Sequence, residues 1–373
     1  MENIQNLYAL ENRILGQGAF GTVYLGTSLA SDKYVALKKI PRGIMQDPQK
    51  VEALSNEILI SSGVNHENLV KILDLADINF EKYIVYEFCN GGDLRRYLRF
   101  FRKFDERAVQ YIITQILKGL SALHAKKIVH HDIKPENILV DLIPYDIINK
   151  NNLAEKKKFE KIVNGILQLT DKNINQNTYQ YLSNCGINRQ YALNTLLRSK
   201  MKVSDFGLSK FKEESNQKIL SGSPLYMDPN LFEPFANINM IENEKVDIWA
   251  VGVFAYELFC GIRPFDSPRQ ILPELIQVLK KGIYTIDLLE CGQISKQFLS
   301  FLNMCLQRQQ NIRPSANELL FSEFITRNPK NFNYINISNL SQFKFPSANY
   351  INYQGQIIMT IDDQRAVNYS FDF

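Results

Sequence analysis

The sequence is short of the features that would set it apart from ordinary globular proteins. It has one tryptophan, four histidines and five cysteines in 373 residues. The cysteines (Cys89, Cys185, Cys260, Cys291 and Cys305) are scattered, odd in number and without CxxC spacing. Neither a zinc site nor a disulfide framework can be read from them, and idle or buried thiols in a reducing compartment are expected. No charge of one sign dominates. With 43 Lys and Arg against 39 Asp and Glu, the net charge is +4, which does not indicate a nucleic-acid binder. Long hydrophobic runs are also missing. The longest mainly apolar stretch, 248–260, is too short to span a bilayer and contains Glu257. Residues 1–5 carry no basic segment followed by an apolar one, so no secretory signal is read. A cytoplasmic protein without a membrane span is expected. What is present is 45% hydrophobic and 22% charged residues, enough for a sizeable core.

Four zones follow along the chain. Residues 8–88 read as short strands with one helix: 8–15, 21–26, 34–40 and 83–87 have the β-branched and aromatic content of strands, and 50–62 has helical spacing. Residues 93–140 and 201–325 read as mainly helical, with Val109, Ile112, Ile113, Ile116, Leu117 and Leu120 on one face. Between them, 142–199 holds ten asparagines and a lysine triplet and reads as an insertion, with helical spacing at Phe159, Ile162, Val163, Ile166 and Leu167. The tail, 327–373, is poor in charge yet carries nine aromatics, which a solvated tail seldom does. Docking and disorder both remain open for it.

The chemistry is concentrated in four segments. Gly16-Gln17-Gly18-Ala19-Phe20-Gly21 lets backbone approach phosphates closely. Dinucleotide-binding folds share that spacing, but they need a helix after the last glycine; here Thr22-Val23-Tyr24-Leu25 reads as a strand, so a hairpin lid over phosphates is expected. Lys38 ends an apolar strand, and Glu57 follows on the helix; such a pair holds an ammonium against phosphate oxygens. In Glu87-Phe88-Cys89-Asn90-Gly91-Gly92-Asp93, backbone can meet a flat base and Asp93 ribose hydroxyls. Finally, His130-His131-Asp132-Ile133-Lys134-Pro135-Glu136-Asn137 with Asp205-Phe206-Gly207 supplies a general base, a phosphate contact and two magnesium ligands.

In that order, these motifs resemble the signature set of eukaryotic protein kinases. The resemblance continues through Gly222-Ser223-Pro224-Leu225-Tyr226-Met227, 246–252 and Arg313-Pro314. Lys134 and the 222–227 segment look like the serine/threonine branch, and 222–227 with Phe265-Asp266-Ser267-Pro268 looks most like the unc-51-like, autophagy-initiating kinases. The resemblance implies an α+β, bilobal fold: a kinase domain over 8–325, with a small β-rich N-lobe (8–88) bearing one key helix and a larger, mainly helical C-lobe (89–325). It implies ATP and Mg2+ as cofactors and a protein substrate offering a Ser or Thr hydroxyl. Carried over by position, Asp132 would be the base, Lys134 would neutralise the moving phosphoryl group, and Asn137 and Asp205 would hold magnesium. Lys38, positioned by Glu57, would contact the phosphates beneath Gly16, Gln17, Gly18 and Gly21. Leu15, Val23, Ala36 and Leu139 would enclose adenine, with Tyr86 behind it, Glu87 and Cys89 presenting backbone, and Asp93 at the ribose. Ile72, His130 and Phe206 would stack in an apolar spine anchored by Asp247.

Four departures from the family pattern stand out. His131 replaces the arginine that normally pairs with a phosphorylated activation-loop residue, and Ile219 replaces that phosphoacceptor, so activity independent of phosphorylation there is expected. Asp228-Pro229-Asn230 replaces A-P-E, so the ion pair to Arg313 is expected to be lost, with Asn230 accepting one hydrogen bond. Ser61 occupies a spine position that is usually apolar. The insertion separates Asn137 from Asp205 by 68 positions, yet 138–140 and 202–204 should still be neighbouring strands, since loop closure grows costly only slowly with length. Glu136 and Asp93 can attract a basic residue on the substrate. The tail can pack on the N-lobe or, like the insertion, bind a regulatory partner. The competing function is a pseudokinase, a nucleotide-binding scaffold; the presence of Lys38, Asp132, Asn137 and Asp205 argues against it.

Overall fold

A β-hairpin opens the fold where the glycine-rich run predicted one. Strands β1 (Tyr8–Gly18) and β2 (Gly21–Ser28) pair antiparallel, with Gly16 opposite Val23 and Gly18 opposite Gly21. Gly21 has φ 131°, and a Cβ there would lie 2.5 Å from the Lys39 carbonyl oxygen, so the turn requires glycine. The computed structural model describes residues 7–18, 21–78, 81–142, 189–211, 222–232, 243–267, 271–335 and 356–361. The expected helix at 159–167, Cys185 and the activation-loop position Ile219 lie outside the described residues. The chain forms two compact units, 1–100 with 136–209, and 101–135 with 210–373.

In the first unit, β3 (Lys33–Lys39), β4 (Ile72–Ile78) and β5 (Glu81–Glu87) complete an antiparallel five-stranded sheet in the order β1-β2-β3-β5-β4. The two-residue period of β3 and β5 buries Val35, Leu37, Tyr83 and Val85 on one face, packed with Ala76, Ile78, Tyr8 and Tyr24. β4 is not evident from the sequence: its leucines, Leu73 and Leu75, point outward, each at least half exposed. Helix α1 (Pro48–Gly63) starts with Pro48 behind Asp47, whose carbonyl accepts the first helical N–H. Helix α2 (Leu94–Phe101) follows the sheet.

The unit also contains both flanks of the insertion. β7 (Ile138–Asp141) and β8 (Lys200–Val203) pair antiparallel, Ile138 opposite Val203, as loop closure required. Within the predicted insertion, helix α4 (Arg189–Leu196) buries Ala192 and Leu196.

The second unit is mainly helical. Asp105 caps α3 (Glu106–Ala125) by accepting from the Ala108 N–H at 2.8 Å. The predicted face, Val109 to Leu120, is fully buried. Helix α5 (Lys245–Cys260) is apolar on every side and buried almost throughout. Among the described residues, no helix is long and apolar enough to cross a membrane. Helices α6 (Leu272–Lys281), α7 (Leu288–Cys291), α8 (Lys296–Cys305), α9 (Ala316–Leu319) and α10 (Glu323–Thr326) follow. Short strands interrupt them: β6 (Ile128–Val129) pairs with β9 (Lys210–Phe211), β11 (Ile294–Ser295) with β12 (Tyr334–Ile335), and β10 (Ile283–Asp287) with β13 (Gln356–Thr360). The tail strands β12 and β13 thus build onto the helical unit. The result is the expected α+β arrangement: a five-stranded antiparallel sheet with a helix, then a mainly helical part.

Candidate active site

The alternation that buries Val35 and Leu37 leaves Ala36 and Lys38 on the opposite face of β3, across from Tyr86 and Ile84 of β5. Lys38 Nζ donates to both carboxylate oxygens of Glu57 on α1, at 2.6 and 2.7 Å. The Tyr86 hydroxyl donates to the same carboxylate. Burial, then the Glu57 charge and hydrogen bond, push the Tyr86 phenol up, so it stays a donor. Val23 of β2 lies opposite Lys38, and Leu15, Gly16 and Gln17 lie along β1.

At the end of β5, the Glu87 carboxylate accepts Lys202 Nζ at 3.0 Å through each oxygen and the Lys71 N–H at 2.9 Å. Cys89 is buried, and burial pushes its thiol up, leaving it unreactive. Asp93 bridges to Leu139 through backbone, and its carboxylate takes the Arg96 Nε at 2.8 Å. Glu136 likewise takes Arg95 Nε at 2.7 Å. Both carboxylates expected to attract a basic substrate residue are therefore already met by arginines of α2.

Asn137 and Asp205 stand at the ends of β7 and β8, joined where Ser204 donates its N–H and hydroxyl to the Asn137 carbonyl at 2.9 and 3.0 Å. Asp205 has φ 65° and ψ 76°, a left-handed backbone in the strained class that gathers at functional sites. Its Oδ1 is buried with no hydrogen-bond partner among the described residues. An oxygen so placed is costly unless a cation or donor meets it. One carboxylate with one amide suits Mg2+, which keeps waters and takes phosphate oxygens for the rest of its shell. No group of three or more His, Cys, Asp or Glu able to hold a metal occurs among the described residues.

In the second unit, Asp132 Oδ2 accepts Lys134 Nζ at 2.6 Å, and Oδ1 accepts the Ser223 N–H at 3.0 Å. Lys134 Nζ also donates to Ser223 Oγ at 2.7 Å. Burial works to raise the Asp132 carboxyl, but the Lys134 hydrogen bond and charge outweigh it and hold it below the usual carboxylate range. Gly222 makes this approach possible: at φ 112°, a Cβ would lie 2.5 Å from the His131 carbonyl oxygen. Asp247, fully buried on α5, accepts the N–H groups of His130 and His131 at 2.9 Å each and sits 2.9 Å from His124 Nε2. Burial opposes its ionisation, yet the His124 hydrogen bond and neighbouring imidazoles bring its carboxyl down to about 2. For His131, burial lowers the imidazole to about 4, so it is neutral at neutral pH.

One expectation is overturned. The ion pair to Arg313 is not lost: Asp228, two residues before the expected position, supplies the carboxylate, and both side chains are fully buried. Asn230 instead donates to Asp228 Oδ1 at 2.8 Å and to the Arg308 carbonyl at 2.7 Å. Position-by-position transfer put the acceptor at 230, whereas the local turn brings 228 to the guanidinium. Ser61 is buried as expected of a spine position, but its hydroxyl has no hydrogen-bond partner among the described residues. Sequence reasoning also missed Ser223 as the residue holding both Asp132 and Lys134; its place directly after Gly222, ahead of the turn at Pro224–Tyr226, was the available signal.

Comparison with known proteins agrees with these motifs. The protein kinase domain family matches residues 9–168 and 192–325. The chain is 27% identical over 321 residues to human "Calcium/calmodulin-dependent protein kinase type 1B", covering 86% of this chain and 75% of that protein. It is 27% identical over 329 residues to "Serine/threonine-protein kinase 33" of Bos taurus (87% and 56%). It is 26% identical over 338 residues to "Serine/threonine-protein kinase atg1" of Aspergillus oryzae (84% and 32%). These similar identities to different kinases resolve no subfamily, the unc-51-like one included. With the family matched across most of its length, the chain belongs to the protein kinase domain family.

Proposed function

We propose that this chain is an ATP-dependent protein serine/threonine kinase. The observation that carries the reading is Asp132: an ionised carboxylate, fixed by Lys134 and the Ser223 backbone, of the kind that receives a hydroxyl proton. Lys38, oriented by Glu57 and Tyr86, binds the α- and β-phosphates. Asn137 and Asp205 hold Mg2+, which when bound offsets the charge of the phosphate oxygens. Ala36, Val23, Leu15 and Leu139 receive adenine, and the backbone at Glu87 and Cys89 its edge. Asp132 orients the substrate hydroxyl and takes its proton as the γ-phosphoryl group transfers, with Lys134 beside it as the neutralising charge.

Activity does not depend on phosphorylation at position 219. A neutral His131 offers no cation to a phosphate there, and Ile219 offers no hydroxyl. Ile219→Thr is expected to remain unswitched by an upstream kinase.

The deciding assay is radiolabelled ATP–Mg with a generic basic substrate, beside Asp132→Asn. Transfer that falls by about 10²–10⁴-fold in the variant supports the reading. Absence of transfer in the unaltered protein, with a magnesium-dependent thermal shift on adding ATP, would make it a nucleotide-binding scaffold instead.

A further inference from the structure

The kinase domain match ends at residue 325, yet tail residues 356–361 are built into the second unit. β13 pairs with β10 along its length, from Asp287 opposite Gln356 to Ile283 opposite Thr360. Alternate tail residues Ile357, Met359 and Ile361 are fully buried, as are Tyr284 and Ile286 of β10. At the end of the strand, the Ile361 N–H donates to the Gly282 carbonyl, and the Ile361 carbonyl accepts the Arg308 N–H, both at 2.9 Å.

Arg308 carries this contact further. Its guanidinium donates to the Leu279 and Lys280 carbonyls at 3.0 and 3.1 Å, satisfying the open end of α6. Its own carbonyl accepts from Asn230 at 2.7 Å and Arg313 at 3.3 Å. Pro229, Phe232, Ile276, Leu279, Lys280 and Arg308 line one small hollow, so the 229–232 turn, α6 and Arg308 share a wall. A continuous set of hydrogen bonds thus runs from the tail strand through Arg308 to the segment that ends the activation region.

We propose that residues 356–361 form a positioning strand: by fixing Arg308 they hold residues 228–232 and α6 in the arrangement that receives a protein substrate. This rests on the kinase reading. Releasing the strand weakens protein-substrate binding and leaves nucleotide binding and transfer intact, because no residue of this set belongs to the Lys38, Asp205 or Asp132 groups.

The test uses full-length chain with Met359→Asp, which puts a charge at a buried strand position, and Met359→Leu as the conservative control. Ile361→Pro, which removes the donor to Gly282 together with the buried isoleucine side chain and restricts the backbone there, serves if Met359→Asp does not fold. The readouts are KM for a serine-containing basic peptide, KM for ATP, kcat, and amide exchange in 228–232. The expected result is a peptide KM raised about fivefold or more, a change of roughly 1 kcal/mol in binding, with kcat and the ATP KM within about twofold and faster exchange at 228–232. Met359→Leu behaves as the unaltered chain. A released strand, seen as exposed β10 amides, with unchanged peptide KM overturns the proposal, as does a parallel loss of all three constants. If the unaltered chain transfers no phosphoryl group, the kinase reading fails, and exchange at 228–232 alone decides the coupling: faster supports it, unchanged overturns it.

Discussion

The Asp228–Arg313 pair makes the sharpest stability prediction, because sequence and structure rank its neighbours in opposite order. Asp228 accepts from Arg313, from Gln310 Nε2 at 2.9 Å, and from the Asn230 N–H and side-chain amide at 2.9 and 2.8 Å. Arg313 also donates to the carbonyls of Gln307 and Lys245 and stacks 5.0 Å over the Trp249 ring. Asp228→Ala leaves a guanidinium that cannot lose its proton, buried without a counter-charge. Breaking a buried pair from one side costs about 3–5 kcal/mol. Asn230→Ala removes two hydrogen bonds from a partly exposed residue, about 1–2 kcal/mol. The double variant Asp228→Ala/Arg313→Met costs less than Asp228→Ala alone, because it removes the stranded charge too. Urea unfolding at constant m-value measures all three. If Asn230→Ala proved as costly as Asp228→Ala, the assignment of the carboxylate would be refuted.

Three further outcomes are expected. Ser223→Ala removes the hydroxyl that accepts from Lys134 and should lower kcat about tenfold, the scale of one charge-assisted hydrogen bond, with the ATP KM unchanged and Ser223→Thr restoring the rate. Burial raises the Glu106 carboxyl to about 7 against the opposing pull of its bonds to Ser295, so the native state holds this proton more tightly than the unfolded chain. That stabilisation is complete below about pH 4.5 and is lost as pH rises through about 7, roughly 3 kcal/mol in all; urea midpoints from pH 5 to 8 should show the slope, and Glu106→Gln should flatten it. Ser61→Ala deletes a buried hydroxyl with no partner among the described residues and should raise stability by about 1 kcal/mol in the same assay, whereas a loss of that size would mean that the hydroxyl is satisfied.

Local patterns were legible and long-range convergence was not. The hairpin could be read because strand residues follow Gly21 directly, and the β7–β8 pairing because closing a loop of any length still demands adjacent ends. The Lys38–Glu57 pair could be read because Lys38 ends the apolar run Val35-Ala36-Leu37 and Glu57 follows on a segment with helical spacing. β4 escaped notice because its leucines face outward, contrary to the rule that apolar residues point to the core. Asp228 escaped because transfer by position assumes that the same backbone step carries the same role. A carboxylate needs only to reach the guanidinium, and the bonds Asn230 makes to Asp228 hold the turn that lets residue 228 do so. The tail poses the same problem at greater distance. Aromatic content left docking and disorder both open, and Phe332 does pack on Phe324, yet the tail residues buried beside β10 are aliphatic: Ile357 and Met359 of β13 and Ile361 just beyond it, far along the chain from the strand they cover. Burial of alternate aliphatic residues was the signal to follow, since a strand edge such as β10 is completed by period-two apolar side chains and backbone pairing, which aromatic content does not by itself supply.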